Sequence, residues 1–283
     1  EYSNLRQIVF RGSEKAEIEK ENHPIRKLTP ISNPKSIKLW VGEPVAIADE
    51  VKATLRKQGG SNLLIAGHDE NIGLRIMYSA IISISKQHIK GSCKFLWFSF
   101  YNVDSDLAEK PGLLFENINQ ESAFIAARDV KEELIKIKTE ITQRIAQPAA
   151  NHQNIYLSFF SLQRGRAFRK EGYSMSEEGN ILAYILKEGP DVGIFTLIQV
   201  DTMDNFSRNL DDMLLKEFSQ RIGSQMNPDN SVKLIGNQKA ARLGNNRAIY
   251  IDDNENILVK FKPYEFPSLN WMAQNMTTQS DMS

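Results

Sequence analysis

The 283-residue chain carries 35 Lys+Arg against 35 Asp+Glu, so no overall field draws it to nucleic acid or an anionic membrane. With 41% hydrophobic and 25% charged residues it is in the ordinary globular range, long enough to bury a full core as one large α/β domain or two small ones. Its single cysteine, Cys93, excludes an internal disulfide and a cysteine-based zinc site and fits a reducing cytoplasm.

No apolar run approaches the roughly 20 residues of a membrane span, and no secretory signal opens the chain. It begins at Glu1 without an initiator Met, from which we expect a fragment of a longer protein. Residues 1–35 hold one short strand-like run (7–10), a Gly turn and charged residues with little periodicity, which reads as a linker or the edge of a preceding domain. IKLWVGEPVAI then reads as a strand with a Gly-Glu-Pro turn, and EVKATLRKQGG as a short helix stopped by two glycines.

NLLIAG is a continuous apolar run, as in a parallel strand buried on both faces. Behind it Ile72, Ile76, Met77, Ala80, Ile81 and Ile84 recur at helical spacing. KFLWFSF (94–100) is the next strand; its aromatics have only Lys94 beside them, which favours core packing over a base-stacking platform. Cys93, just before it, reads as a small core or edge residue. Val130, Leu134, Ile137, Ile141 and Ile145 mark a long amphipathic helix ended by Pro148, with Glu132–Lys136 and Glu140–Arg144 as exposed pairs.

NIYLSFFSL is a strand, and Ser174 with Glu177 forms a capping box for the helix through Ile181, Leu182, Ile185 and Leu186. GIFTLIQVD is another buried strand, followed by strands at 218–226, 247–251 and 257–261, the last two joined by DDNEN into a hairpin. Strands and helices alternating in this way predict an α/β fold with a mainly parallel sheet covered on both faces and a binding crevice at the strands' carboxyl ends. The tail, 267–283, carries an exposed-looking Trp271.

The segment LLIAGHDENIGLRI (63–76) has the order of a phosphate loop: apolar strand, glycine, polar loop, helix. Such a loop works because backbone N–H groups at a helix N-terminus converge on the phosphates, a lysine reaches the β/γ oxygens and a hydroxyl holds Mg²⁺. Aligned on Gly67, the second glycine falls on Ile72, the lysine on Gly73 and the hydroxyl on Leu74. One inserted residue restores Gly73 as the second glycine but puts Leu74 and Arg75 in the other two places. Asp69 and Glu70 repel a triphosphate, Arg75 reads as a solvated surface residue, and His68 as a lone loop histidine. The strand expected to end in magnesium-binding acids ends instead in Phe160 and Ser161.

Taken in order, GSNLLIAGHDE, NIYLSFFSLQRGRAFR and ILKEGPDVGIFTLIQVDT resemble the FtsK/SpoIIIE/HerA group of hexameric motor ATPases, as does the tail FSQRIGSQMNPDNSVKLIGNQKAARLGNNRAIYIDD. The resemblance runs from Ile37 to Tyr264 and is to a degenerate C-terminal copy of that domain. It implies a RecA-like (P-loop NTPase type) sheet flanked by helices over 36–266, with a C-terminal β-hairpin. It further implies vestigial nucleotide contacts at Gly67, Gly73, Arg75 and Gln199, the last at the sensor-glutamine position. No catalytic residue, metal or cofactor is expected, ATP and Mg²⁺ entering only if a non-standard site works. The implied partners are a preceding active ATPase domain in the parent chain, further copies of this chain, and DNA through the assembled ring.

QRGRAFRK places Arg164, Arg166, Arg169 and Lys170 past a strand end, either as a contact to DNA or a neighbouring subunit's nucleotide or as a solvated basic loop. Asp201, Asp204, Asp211 and Asp212 read as helix caps and surface charge rather than metal ligands. Three functions stand at this point: a non-hydrolytic part of a hexameric DNA-translocating motor, a partner-docking domain such as those of type VII secretion motors, and an ATP-binding domain with a non-standard site.

Overall fold

The computed structural model describes residues 15–46, 48–100, 107–148 and 150–276. The strand-like run at 7–10 and the end of the tail lie outside them. One sheet is built from β1 (Ser36–Pro44), β2 (Val51–Arg56), β3 (Leu63–Ala66), β4 (Cys93–Ser99), β5 (Glu121–Ile125), β6 (Asn154–Phe160), β7 (Ile194–Val200), β8 (Gln220–Ser224), β9 (Ala248–Asp252) and β10 (Ile257–Pro263). Their order is β2-β1-β10-β9-β8-β3-β7-β6-β4-β5. From β8 to β5 every pairing is parallel, and from β8 round to β2 every pairing is antiparallel.

Parallel neighbours need crossovers, and helices on both faces supply them. On one face lie α1 (Glu70–Gln87), α2 (Lys110–Glu116) and α7 (Leu269–Met276); on the other lie α3 (Val130–Ala146), α4 (Glu177–Glu188), α5 (Met203–Asn209) and α6 (Pro228–Ile235). β3 shows why its residues are all apolar: Leu63 and Ile65 enter the first core, Leu64 and Ala66 the second. Pairing with β7 and β8 leaves this strand no solvent face. Phe95, Trp97 and Phe98 of β4 are buried as expected, and so is Cys93, whose thiol pKa is pushed up by burial.

Several expectations are corrected. EVKATLR is not a helix but β2, antiparallel to β1, with Val51, Ala53 and Leu55 buried in alternation. The Gly42-Glu43-Pro44 stretch continues β1 past a register shift between Trp40 and Gly42 instead of turning the chain. The cap of α4 is Ser176, which accepts the Gly179 N–H at 3.0 Å, while Ser174 bonds back to Glu171 across a tight turn. Arg144 pairs with Glu140 at 2.7 Å, but it is buried and also donates to the Val192 carbonyl. Trp271 is buried on α7, and Ala16, Ile18 and Ile25 join the first core, so residues 15–35 pack against the sheet. α2 and β5 have no counterpart in the sequence reading.

Two glutamines finish the antiparallel half. Gln87 of α1 donates to the Lys38 carbonyl and accepts the Lys38 N–H, pairing a residue of β1 that β10 does not reach. Gln220 of β8 does the same for Thr54, at the outer edge of β2. Each amide stands in for a neighbouring strand, and the second folds the edge of β2 back toward the centre of the sheet. Among the described residues no helix is long and apolar enough to cross a membrane.

Candidate functional site: a filled crevice at the strand ends

At the carboxyl end of β3 the chain turns at Gly67, whose N–H donates to the Val200 carbonyl at 3.1 Å. Its φ is +153°, and a Cβ there would stand 1.7 Å from Ser224 Oγ. Glycine is required here by the close approach of β8, whatever the loop binds. Gly73, in the first turns of α1, has a similar reason: its Cβ would lie 2.8 Å from Gln199 Cγ on β7. Gln199, buried, accepts the Ser161 N–H at 2.9 Å through Oε1. Three of the four residues assigned to the vestigial site, Gly67, Gly73 and Gln199, are thus brought together by packing.

The fourth is not among them. Arg75 is only 6% exposed, and it reaches sideways to the carboxyl end of β10, where Nε donates to the Tyr264 carbonyl, Nη2 to the Pro263 carbonyl and Nη1 to Asn246 Oδ1. Glu265 lies 3.0 Å from it. Burial pulls the guanidinium below its usual pKa, opposed by Glu265 and Asp69. The expected solvated residue is a buried clamp on the end of β10, because α1 presents that face to the antiparallel strands. The guanidinium is near enough to the loop to feel Asp69, but the donors Nε, Nη1 and Nη2 are committed to the Tyr264 and Pro263 carbonyls and to Asn246.

The N-terminus of α1 is a natural anion site, and the chain supplies its own anions. Asp69 caps it, accepting the Ile72 N–H at 3.1 Å. Glu70, next in line, is held by the turn that follows β6: Ser161 Oγ donates to its carboxylate at 3.4 Å, Gln163 Nε2 at 3.2 Å, and Arg164 Nη2 lies 3.0 Å away. Ser161 sits in the left-handed region at φ +58°, which carries the chain sharply from the strand into this turn. A phosphate at the head of α1 would have to displace Glu70 from these three partners.

The place expected for magnesium-binding acids is packed with rings. Phe159 stacks on Phe98 at 4.3 Å and Phe160 on Trp97 at 5.9 Å, all four buried in the two cores. Among the described residues no group of His, Cys, Asp and Glu could hold a metal ion. Asp204 accepts from Asn230, Asp211 caps the turn before β8 through the Met213 N–H, and Asp212 lies 2.9 Å from Lys233. His68 is exposed in the loop.

The basic loop divides. Arg164, exposed, pairs with Glu70, and Arg166 is exposed as well. Arg169 and Lys170 line a cleft of about 640 Å³ with Arg208 and Tyr173, two residues that carried no signal in the sequence because α5 brings one of them in from 35 positions away or more.

No protein-family model matches the chain, and no curated protein is similar to it in sequence. Among solved structures it is similar to the cytoplasmic domain of the Thermomonospora curvata type VII secretion ATPase EccC, with TM-score 0.58 and 12% identity over 89% of this chain and 32% of that one. ATPases 2 and 3 of the same EccC, in complex with a signal sequence peptide, give 0.61 at 13% identity over 86% of this chain and 43% of theirs. The pCW3 conjugation coupling protein TcpA, a monomer form with ATPγS, gives 0.61 at 12% over 88% and 74%. The chain therefore spans about a third of the EccC cytoplasmic domain and less than half of its ATPase 2 and 3 fragment. At such identities the likeness is one of architecture, and it bears out the resemblance read from the sequence: the chain has the RecA-like fold of the FtsK/SpoIIIE-type motor ATPase domains.

Proposed function

We propose that this chain is a non-hydrolytic motor domain, a structural or regulatory part of a hexameric DNA-translocating assembly in the cytoplasm. In this reading it follows an active ATPase domain in its parent chain, assembles with further copies of itself, and works by completing the ring and passing on movement. The observation that carries it is Glu70, whose carboxylate is tied by Ser161, Gln163 and Arg164 at the head of α1. Lysine, hydroxyl and paired acids are missing from the same place, and the rings of Phe159 and Phe160 fill the strand end. Arg166 and Arg169, exposed, are available to DNA or a neighbouring subunit.

A second reading, a partner-docking domain of a secretion-type motor, draws support from the fold shared with the EccC fragment that holds a signal sequence peptide. The third, an ATP-binding domain with a non-standard site, loses its proposed cation, since Arg75 is committed to Tyr264, Pro263 and Asn246. The deciding experiment is Mg²⁺-ATP turnover by the purified chain, alone and mixed with its parent's preceding domain. We expect no phosphate release from this domain in either setting. Turnover by the isolated chain would overturn the non-hydrolytic reading.

A further inference from the structure

The cleft beside the basic loop is built from two segments locked together. Lys170 N–H donates to the Arg208 carbonyl at 3.1 Å, and Asn209, buried, donates to the Leu162 carbonyl at 2.7 Å. The lock fixes the loop after β6 against α5 and sets Arg169, Lys170 and Arg208 around one hollow of about 640 Å³, within the usual size of small-molecule sites. None of the three forms an ion pair with a described residue; Arg208 only donates to the Asn205 amide oxygen at 3.2 Å. Asp212, whose charge Lys170 feels, is already held by Lys233 and Ser207. The lining contains no carboxylate.

Tyr173 stands at the rim with its whole surface in water, at the tip of the tight turn in which Glu171 and Ser174 exchange backbone hydrogen bonds. It is the most exposed of the large hydrophobic side chains described here. A free aromatic face next to uncompensated cations is complementary to a planar ring attached to phosphates. One ring and one cluster of cations match one nucleotide, whereas a surface that tracks a strand repeats its rings along the groove. Asn205 and Ser207 add neutral polar groups between the two ends.

We propose that this cleft binds a single free nucleoside polyphosphate, its phosphates on Arg169, Lys170 and Arg208 and its base on Tyr173. The site adjoins the filled crevice, since Gln163 lines the cleft and also donates to Glu70, but its cations and ring are not those of the crevice, and its ligand is bound without hydrolysis.

Isothermal titration of the full chain with ADP, with pyrophosphate and with a short single-stranded oligonucleotide tests this, all without Mg²⁺. Saturable one-to-one binding of ADP is expected. Arg169→Gln and Arg208→Gln, both on exposed positions whose loss leaves the fold intact by thermal midpoint, each weaken it about tenfold. Tyr173→Ala weakens ADP but not pyrophosphate. Absence of saturable ADP binding, or an affinity indifferent to Arg169→Gln, overturns the proposal. So does an oligonucleotide that binds tighter than ADP, which marks a strand-tracking surface. Binding that tightens in Glu70→Gln places the ligand in the crevice instead and refutes the filled-crevice account as well. Turnover, the readout for the non-hydrolytic reading, is separate from all of these, so either idea can fail alone.

Discussion

Lowering the pH from 7 to 5 is expected to remove about 4 kcal/mol of stability through two buried imidazoles, His23 and His88. His23 is 3% exposed and His88 is 0% exposed. Nδ1 of His23 accepts the Ile25 N–H at 3.1 Å, so its proton is on Nε2, which donates to the Tyr264 hydroxyl at 2.8 Å. Nδ1 of His88 lies 2.9 Å from the Ile84 carbonyl, which only accepts, so the proton is on Nδ1 and Nε2 takes the Tyr156 hydroxyl at 3.2 Å. A second proton on His23 sets donor against donor at Ile25, and on His88 it disrupts the bond from Tyr156. Burial above all, with Arg26 and Lys20 adding at His23, pulls the pKa of His23 from 6.5 to about 4. At His88 burial does the same against the Ile84 carbonyl, with Lys57 adding, again to about 4.

An unfolded chain binds protons at these two positions that the folded chain refuses, so stability rises with pH across this window. The contribution is complete above pH 6.5 and is lost as the pH falls from there toward 4. At about 1.4 kcal/mol per pH unit, each histidine gives up about 2 kcal/mol by pH 5. That is a large part of the 5–15 kcal/mol, roughly, that holds an ordinary domain folded. Urea unfolding at pH 7 and pH 5 measures the loss. His23→Gln and His88→Gln, though less stable at pH 7, should each lose about 2 kcal/mol less than the parent between the two pH values. Equal losses in parent and variants would refute the assignment of neutral, proton-refusing histidines.

Arg75→Ala should lower the unfolding free energy by about 1–3 kcal/mol, read as a lower denaturant midpoint, because the Tyr264 and Pro263 carbonyls lose a buried donor while Glu265 is partly exposed to water. A nucleotide role would show the reverse, a changed nucleotide affinity at an unchanged midpoint. Gln220→Ala should cost about 1–3 kcal/mol by stranding the Thr54 N–H and C=O, while the Tyr250 hydroxyl keeps Asp252 as a partner. Gln220→Glu should be no better, since a carboxylate turns an acceptor toward the Thr54 carbonyl; recovery of stability in that variant would sink the strand-mimic account.

The parallel half of the fold was legible because burial on both faces leaves long apolar runs, as in NLLIAG and GIFTLIQVD, that admit few alternatives. The antiparallel half was harder. EVKATLR contains good helix formers, and only the alternation of Val51, Ala53 and Leu55 argued for a strand, a signal that β1 then enforced. β5 escaped because an edge strand with one half-exposed face has neither a run nor a strict alternation: its Phe124 is 54% exposed. In the site, Asp69 and Glu70 were recognisable as hostile to phosphate, but nothing in LLIAGHDENIGLRI says that Glu70 is met by Ser161, Gln163 and Arg164 from 91 or more positions away. Arg75 misled for the same reason, since a polar residue in a first helical turn looks solvated until Tyr264 and Pro263 arrive over it.

The proposed non-hydrolytic role needs a fold that does not depend on a phosphate, and the contacts at each position of the loop supply one. Gly67 is held by its contact with Ser224 and Gly73 by its contact with Gln199, so neither glycine depends on a phosphate for its place. Alignment on Gly67 puts the catalytic lysine at position 73, and there even a Cβ would stand 2.8 Å from the Gln199 side chain. Gln199 in turn satisfies the Ser161 N–H, and the turn begun by Ser161 carries the groups that hold Glu70. A lysine restored at position 73 would therefore disturb the glutamine, the turn and the ion pair before it met any nucleotide. The crevice is stabilised in its filled form by linked contacts, and reversing one residue leaves the others opposed to the ligand.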